Sequence, residues 1–68
     1  MKFKEGEVVL VKADGKLGQI IEIYDDTYYI QYLDDKWTPI PKKYTYCTEK
    51  EVTDDLGTEV VYKLLGLE

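Results

Sequence analysis

The sequence predicts a mainly β domain in which five short strands close into a small barrel, followed by a short C-terminal helix. A chain of 68 residues has room for one domain only. Its hydrophobic content of 44%, with 13% aromatic residues, is enough for one core. Segments rich in Val, Ile and Tyr are separated by short breaks of Gly, Asp and Pro. We therefore expect a barrel over residues 1–55 and a helical extension, packed on the barrel, over residues 56–68.

Three β segments follow one another closely in the N-terminal half. Residues 7–12 are rich in valine and precede an Asp-Gly pair at residues 14–15, which is a strong turn signal. A second β segment covers residues 18–24, and the third covers residues 28–33 after a short polar break. The simplest arrangement of these segments is a β-meander.

The next segment, residues 34–43, is predicted to be a loop with at most an extended edge. Pro39 and Pro41 lack the N–H group that a central strand needs. Residues 44–47 then form the predicted fourth strand.

A single helical turn and a closing strand follow the fourth strand. Thr48 stands at the N-cap position with Glu51 three residues later, which is the pattern of a capping box. Residues 52–53 are short and β-branched, as expected of a brief fifth strand.

The C-terminal residues change to helical spacing. Thr58 can cap a helix and Gly66 can end it. The apolar residues between them are Val60, Val61, Leu64 and Leu65. An additional strand remains the alternative, because valine lowers helix propensity. The first strand is apolar on both faces, so we expect this apolar stripe to cover its outer face within a monomer, the alternative being a dimer or partner contact through the stripe.

Composition argues against an enzyme. The chain contains no His, Ser or Arg, so the commonest general base, the commonest hydroxyl nucleophile and the bidentate phosphate-binding residue are missing. Cys47 is the only cysteine and is expected to be a buried or half-buried strand residue. Paired Asp residues recur at strand ends, but none forms a calcium-binding loop pattern. We expect no cofactor and no metal.

Charge limits the class of partner. The chain carries 9 basic and 14 acidic residues, for a net charge of −5. This sign is unsuited to a phosphate backbone, so nucleic acid is not the expected partner. The acidity either serves solubility or attracts basic protein segments. No apolar run is long enough to cross a bilayer or to act as a secretion signal, and we expect a cytoplasmic location without membrane contact.

One group of residues resembles a known pattern. It consists of Gly-Glu-Val-Val-Leu-Val at residues 6–11, followed by Gly15, Gly18, Ile20 and Ile23. With the aromatic-rich residues 28–32 and the helical turn before the last strand, it resembles the KOW and Tudor-like branch of the small SH3-like β-barrels. The resemblance covers about residues 3–53 and implies a five-stranded barrel. Independently of it, the glycines fit a turn with positive φ or a close backbone approach.

An acidic and aromatic rim is predicted at one end of the barrel, where the first and third connections meet. Its members are Tyr32, Asp34, Asp35, Trp37 and Tyr44. Aromatic faces and carboxylates together can hold a lysine head group, as the resemblance to Tudor-like proteins implies. The structural alternative is that Trp37 and Pro41 only fold the long loop onto the barrel end.

These observations predict a non-enzymatic protein-interaction module that binds a basic or Lys-rich protein segment through the rim. The alternative is a small acidic inhibitor, from a host or a phage, that blocks a basic or nucleic-acid-binding protein by mimicking nucleic acid. The two differ in where the carboxylates lie. A mimic needs them along one face, and a lysine-binding module needs them around an aromatic surface.

Overall fold

A computed structural model describes residues 2–55, which form one antiparallel sheet. The strands are β1 (Val8–Val11), β2 (Lys16–Tyr24), β3 (Thr27–Leu33), β4 (Pro39–Thr48) and β5 (Val52–Thr53). A one-turn 3-10 helix at Glu49–Glu51 precedes β5. The strand order is β4-β3-β2-β1-β5, so the predicted mainly β class and the meander from β1 to β4 are confirmed.

The described sheet is open rather than closed into a barrel. β4 pairs with β3 and β5 pairs with β1, but β4 and β5 do not pair with each other. β5 is 2 residues long and, within the described residues, pairs only with β1. The 3-10 turn, which follows β4, instead bonds to the end of β1: the Lys12 N–H donates to the Glu51 carbonyl over 3.0 Å.

The predicted C-terminal helix, its packing on the barrel and the dimer contact through its stripe all fall in residues 56–68. These residues lie outside the described part of the chain.

One face of the sheet carries the core. Alternation along each strand turns every second side chain to this inner face. The buried cluster consists of Phe3, Val9, Val11, Ile20, Tyr28, Ile30, Cys47 and Val52. Cys47 is buried, as the sequence predicts, and burial raises the pKa of its thiol, which makes it a weak nucleophile.

The first hairpin uses its glycines in two different ways. Gly15 has φ +68°, a conformation that favours glycine in the turn. Gly18 pairs with Val9 and with Tyr32, so it lies between two neighbouring strands. A Cβ at Gly18 would overlap the γ2 methyl group of Ile30. Glycine is therefore needed here for close approach of β2 and β3.

β4 begins at Pro39, inside the segment that the sequence predicts to be a loop. β4 is an edge strand of the sheet. Leu33 pairs with Pro39, and Gln31 then pairs with Tyr44, so the intervening residues 40–43 form a bulge. The Gln31 side chain is 9% exposed, and its amide donates to the carbonyls of Ile40 (2.8 Å) and Lys43 (2.9 Å). An edge position tolerates the missing proline N–H groups, and the amide satisfies the bulged carbonyls.

Gly18→Ala should destabilise the sheet by about 1–3 kcal/mol, because the added methyl group overpacks the contact with Ile30. Chemical denaturation measures this loss. The exposed Lys16→Ala on the same strand should change stability by less than about 0.5 kcal/mol. In an Ile30→Leu background, which lacks the γ2 methyl group, Gly18→Ala should cost less. An equal cost in both backgrounds would show that the contact is not responsible.

Gln31→Glu should destabilise the protein at neutral pH by about 1–3 kcal/mol, since an acceptor replaces the amide donor beside two part-buried carbonyls. A carboxyl group held there has a folded-state pKa above its unfolded value of about 4.3. Stability should therefore be nearest to that of the parent below about pH 4 and fall as pH rises through that window. Thermal melting at several pH values measures this, and Gln19→Glu, at an exposed hydrogen bond, is the matched control. Identical pH dependence in both variants would refute the donor role of Gln31.

Candidate functional site

Asp34 closes the loop that precedes β4. Its Oδ1 atom accepts hydrogen bonds from the N–H groups of Lys36 and Thr38, both at 2.9 Å. Its own N–H donates to the Thr38 carbonyl at 2.9 Å, and its carbonyl accepts from the Trp37 N–H at 3.0 Å. The Asp34 carboxylate is thus half-buried and engaged within its own turn.

Trp37 stands at the tip of this turn. Its φ of +64° lies in the left-handed region, which is uncommon for a bulky residue. The hydrogen bonds of Asp34 hold the backbone there, and the indole remains 42% exposed. Asp35, directly before Lys36, is exposed. The turn therefore presents one aromatic ring and one carboxylate to solvent.

Tyr32 connects the end of β3 to the first hairpin turn. Its hydroxyl donates to Asp14 Oδ2 over 2.7 Å, and Asp14 Oδ1 accepts from the Lys16 N–H at 3.1 Å. The hydrogen bond to Asp14, followed by partial burial, raises the pKa of Tyr32. The first turn therefore lies beside the end of β3.

Tyr44 lies on the other face of the sheet from Tyr32. Tyr44 pairs with Gln31, whereas Tyr32 shares its face with Tyr28 and Ile30 two and four positions earlier. Of the rim residues, three share the loop, Tyr32 bonds to the first turn, and Tyr44 belongs to the outer face. The rim residues thus do not form one continuous surface.

The outer face of β2, β3 and β4 carries a group of tyrosines, which we call the tyrosine face. Its members are Tyr24, Tyr29, Tyr44 and Tyr46, together with Glu22. The Tyr29 ring stacks on Tyr46 at a centroid distance of 4.6 Å and on Tyr44 at 5.4 Å. Tyr46 is 63% exposed, Tyr24 52% and Tyr44 48%. The stacked rings therefore form one aromatic surface that faces solvent.

The chemistry of the tyrosine face is that of neutral phenols beside one carboxylate. A hydrogen bond to the Glu22 carboxylate raises the pKa of Tyr24. Desolvation, with added influence from Tyr46 and Tyr44, raises the pKa of Tyr29. Both hydroxyls thus stay protonated at neutral pH, so this face offers π surfaces, hydroxyl donors and a single negative charge.

Sequence reasoning missed Tyr24, Tyr29 and Tyr46. Tyr44 and Tyr46 are two positions apart on a strand, and this spacing places them on one face. The pairing of Tyr29 with Tyr46 depends on the β3–β4 register and on the bulge, neither of which the sequence reveals. The face could therefore be found only in part from spacing.

The remaining findings add no ligand chemistry. No helix in residues 2–55 has the length and apolar character needed to cross a membrane. Across the same residues, no group of three or more His, Cys, Asp or Glu side chains is placed to hold a metal ion. No protein-family model, curated protein or solved structure matches this chain.

Asp34→Ala should lower the free energy of local opening of the loop by about 1 kcal/mol, because two backbone N–H groups lose their shared acceptor. Asp35→Ala is the matched control and should leave the loop unchanged. Amide hydrogen exchange measures the difference: the Lys36 and Thr38 amides should exchange faster in the first variant only. Equal exchange rates in the two variants would mean that the Asp34 carboxylate does not hold the turn.

Proposed function

We propose that this protein is a non-enzymatic interaction module that binds a Lys-bearing segment of a basic partner protein on the tyrosine face. The observation that carries the proposal is the stack of Tyr44, Tyr29 and Tyr46, whose outer members are about half exposed or more. Aromatic rings that are already stacked lose little side-chain entropy on binding. Such residues are enriched where proteins bind proteins.

The chemistry of the surface supports a cationic ligand. The negative ring faces of the exposed tyrosines attract an ammonium group, and the Glu22 carboxylate lies next to the Tyr24 hydroxyl at the border of the stack. A chain with net charge −5 also steers basic segments towards itself. The rings would then orient the bound lysine on the tyrosine face, and the net charge would attract the basic segment over longer distances.

The free energies of the individual contacts predict that a single lysine binds only weakly. An exposed cation–π contact contributes about 0.5–1 kcal/mol and a surface ion pair about 0–1 kcal/mol. Useful affinity therefore requires several contacts along an extended segment.

The loop rim is a smaller second surface in this proposal. The Tyr32 hydroxyl and the Asp34 carboxylate are engaged with Asp14 and with the loop backbone, which leaves Trp37 and Asp35 for contacts with a partner. This supports the tyrosine face as the main surface and the loop as a flanking contact.

The local roles of the acidic residues favour the module over the nucleic-acid mimic. Asp14, Asp34 and Glu51 each accept hydrogen bonds from backbone N–H groups of their own chain. Carboxylates used to close turns are less available to imitate a row of phosphates. The mimic stays an alternative outcome of the binding experiment.

The proposed fold relationship is to the small SH3-like barrels of the KOW and Tudor-like branch. It is supported by the one-turn helix directly before β5, and by Gly15 and Gly18 at the first hairpin. We place the module in the cytoplasm, since its single cysteine is a free, buried thiol.

An oligo-lysine peptide should bind the protein weakly, and nuclear magnetic resonance titration should shift the ring signals of Tyr44 and Tyr46 more than the indole signal of Trp37. Tyr46→Ala should weaken binding by about two- to fivefold, as expected for one exposed cation–π contact. Trp37→Ala is the matched control at a separate aromatic site and should have a smaller effect. An oligo-glutamate peptide of equal length should not bind.

The opposite ranking would assign the binding to the loop: a larger loss in Trp37→Ala than in Tyr46→Ala. Binding that is equally strong in both variants, and abolished by moderate salt, would reduce the interaction to net charge. Either result would contradict the proposed role of the tyrosine face.

A further inference from the structure

β4 is an edge strand whose two halves differ in protection. The first half carries Pro39 and Pro41 and ends in the bulge, where Lys42 has φ +62°. Prolines, bulges and lysines are the usual means by which an edge avoids pairing with another chain. The second half, residues 44–48, reads Tyr-Thr-Tyr-Cys-Thr and contains none of them. Within the described residues this half pairs on one side only, with β3.

The hydrogen bonds at both ends of this half show which way its backbone points. The Thr48 N–H donates to the Glu51 carboxylate at 2.8 Å, and the Lys43 carbonyl accepts from the Gln31 amide on the β3 side. Backbone groups alternate in direction along a strand. The N–H and C=O groups of Thr45 and Cys47 therefore face β3, and those of Tyr44 and Tyr46 face away from the sheet.

The hydrogen bonds of β2 independently give the same direction for the backbone groups of β4. The Ile20 N–H donates to the Glu7 carbonyl and the Ile20 carbonyl accepts from Gly6, so the backbone of Ile20 faces away from β3. Gln19 then faces β3 and bonds with its partner Gln31. Because Gln31 faces β2, its partner on the other side, Tyr44, faces outwards.

We propose that β4 pairs with β4 of a second copy of this chain, antiparallel, around a two-fold axis at Thr45. In this register Tyr44 of each copy lies opposite Tyr46 of the other, and Thr45 lies opposite Thr45. The outward N–H and C=O groups of Tyr44 and Tyr46 then all find partners, and no group already bonded to β3 or to Glu51 is required. The interface is isologous, as a closed dimer needs.

The side chains suit the same register. On the outer face, Tyr44 of one copy would stand beside Tyr46 of the other, which is a favourable aromatic cross-strand pair. The Tyr29–Tyr46 pair already shows this arrangement within one chain, at 4.6 Å between ring centroids. On the inner face, opposed Thr45 residues form another favourable pair type. The tyrosine faces of the two copies would become continuous.

Charge along the strand also favours a second copy as the occupant. Lys42 and Lys43 precede the unprotected half, and Glu49 and Glu51 follow it. Antiparallel pairing of two identical strands brings the basic end of each copy towards the acidic end of the other. This offsets part of the repulsion between two chains of net charge −5. A contact limited to one strand edge is small, so the dimer is expected to depend on concentration.

Sedimentation of the full chain, without any partner, tests the dimer directly. The average mass should rise from the 8.0 kDa of one chain towards twice that value as concentration increases into the millimolar range. The amides of Tyr44 and Tyr46 should gain protection from hydrogen exchange over the same range. Because no lysine peptide is present, this result is independent of the proposed function.

Two double variants test the register while removing the same rings. Tyr44→Lys with Tyr46→Lys places like charges opposite each other across the axis, whereas Tyr44→Lys with Tyr46→Glu places opposite charges there. We expect the first to dissociate at least about tenfold more readily than the second, because both symmetry-related pairs change sign. In a register centred on Tyr46 instead, the second variant would oppose Glu to Glu. Thermal melting of both variants controls for folding.

Three results would overturn the proposal. The first is a parent chain that stays at the mass of one copy throughout the millimolar range. The second is equal dimerisation of the two double variants. The third is protection of the Tyr44 and Tyr46 amides that does not change with concentration, because it would mean that another segment of the same chain occupies the edge.

Discussion

The buried hydroxyl of Tyr28 is the interaction on which the rest of the described structure depends. The Tyr28 side chain is fully buried, and a phenol in that position needs hydrogen-bond partners. Its hydroxyl accepts from the Phe3 N–H at 3.0 Å and donates to the Glu49 carboxylate at 3.5 Å. The same carboxylate accepts from the Lys2 N–H. One polar atom near the beginning of β3 thus ties the N-terminal segment and the 3-10 turn to the sheet.

This connection compensates for the open sheet. With β5 limited to Val52–Thr53 and unpaired with β4, backbone pairing alone does not join the two edge strands β4 and β5. The Phe3 ring packs against Tyr28 at 5.8 Å, and Val52 completes the same buried cluster. The core is therefore closed by side chains and by the capped 3-10 turn where backbone pairing stops.

The part of the fold that the sequence predicts is the part specified by local sequence patterns. Turn glycines, strand alternation and the Thr48–Glu51 pattern each act over a few residues, and the observed strands other than β4 follow them closely. The candidate site depends on register between strands, which a single sequence does not specify. Trp37 and Tyr44 are both exposed aromatics, as a rim would require, but strand pairing separates Tyr44 from Tyr32 by placing them on opposite faces. Closure likewise depends on how far β5 extends, and a short β-branched pair does not reveal this.

The bulge opposite Gln31 sets which side chains of β4 face outwards. Leu33 pairs with Pro39, and Gln31 pairs with Tyr44. The two β3 residues are an even number of positions apart, whereas the two β4 residues are an odd number apart. A regular ladder cannot accommodate both, so the bulge at residues 40–43 reverses the alternation. Without it, Tyr44 and Tyr46 would turn to the inner face, and Thr45 and Cys47 to solvent. The Gln31 amide donates to two carbonyls of the bulge, so a nearly buried side chain on β3 supports the irregularity that turns the tyrosines of β4 outwards.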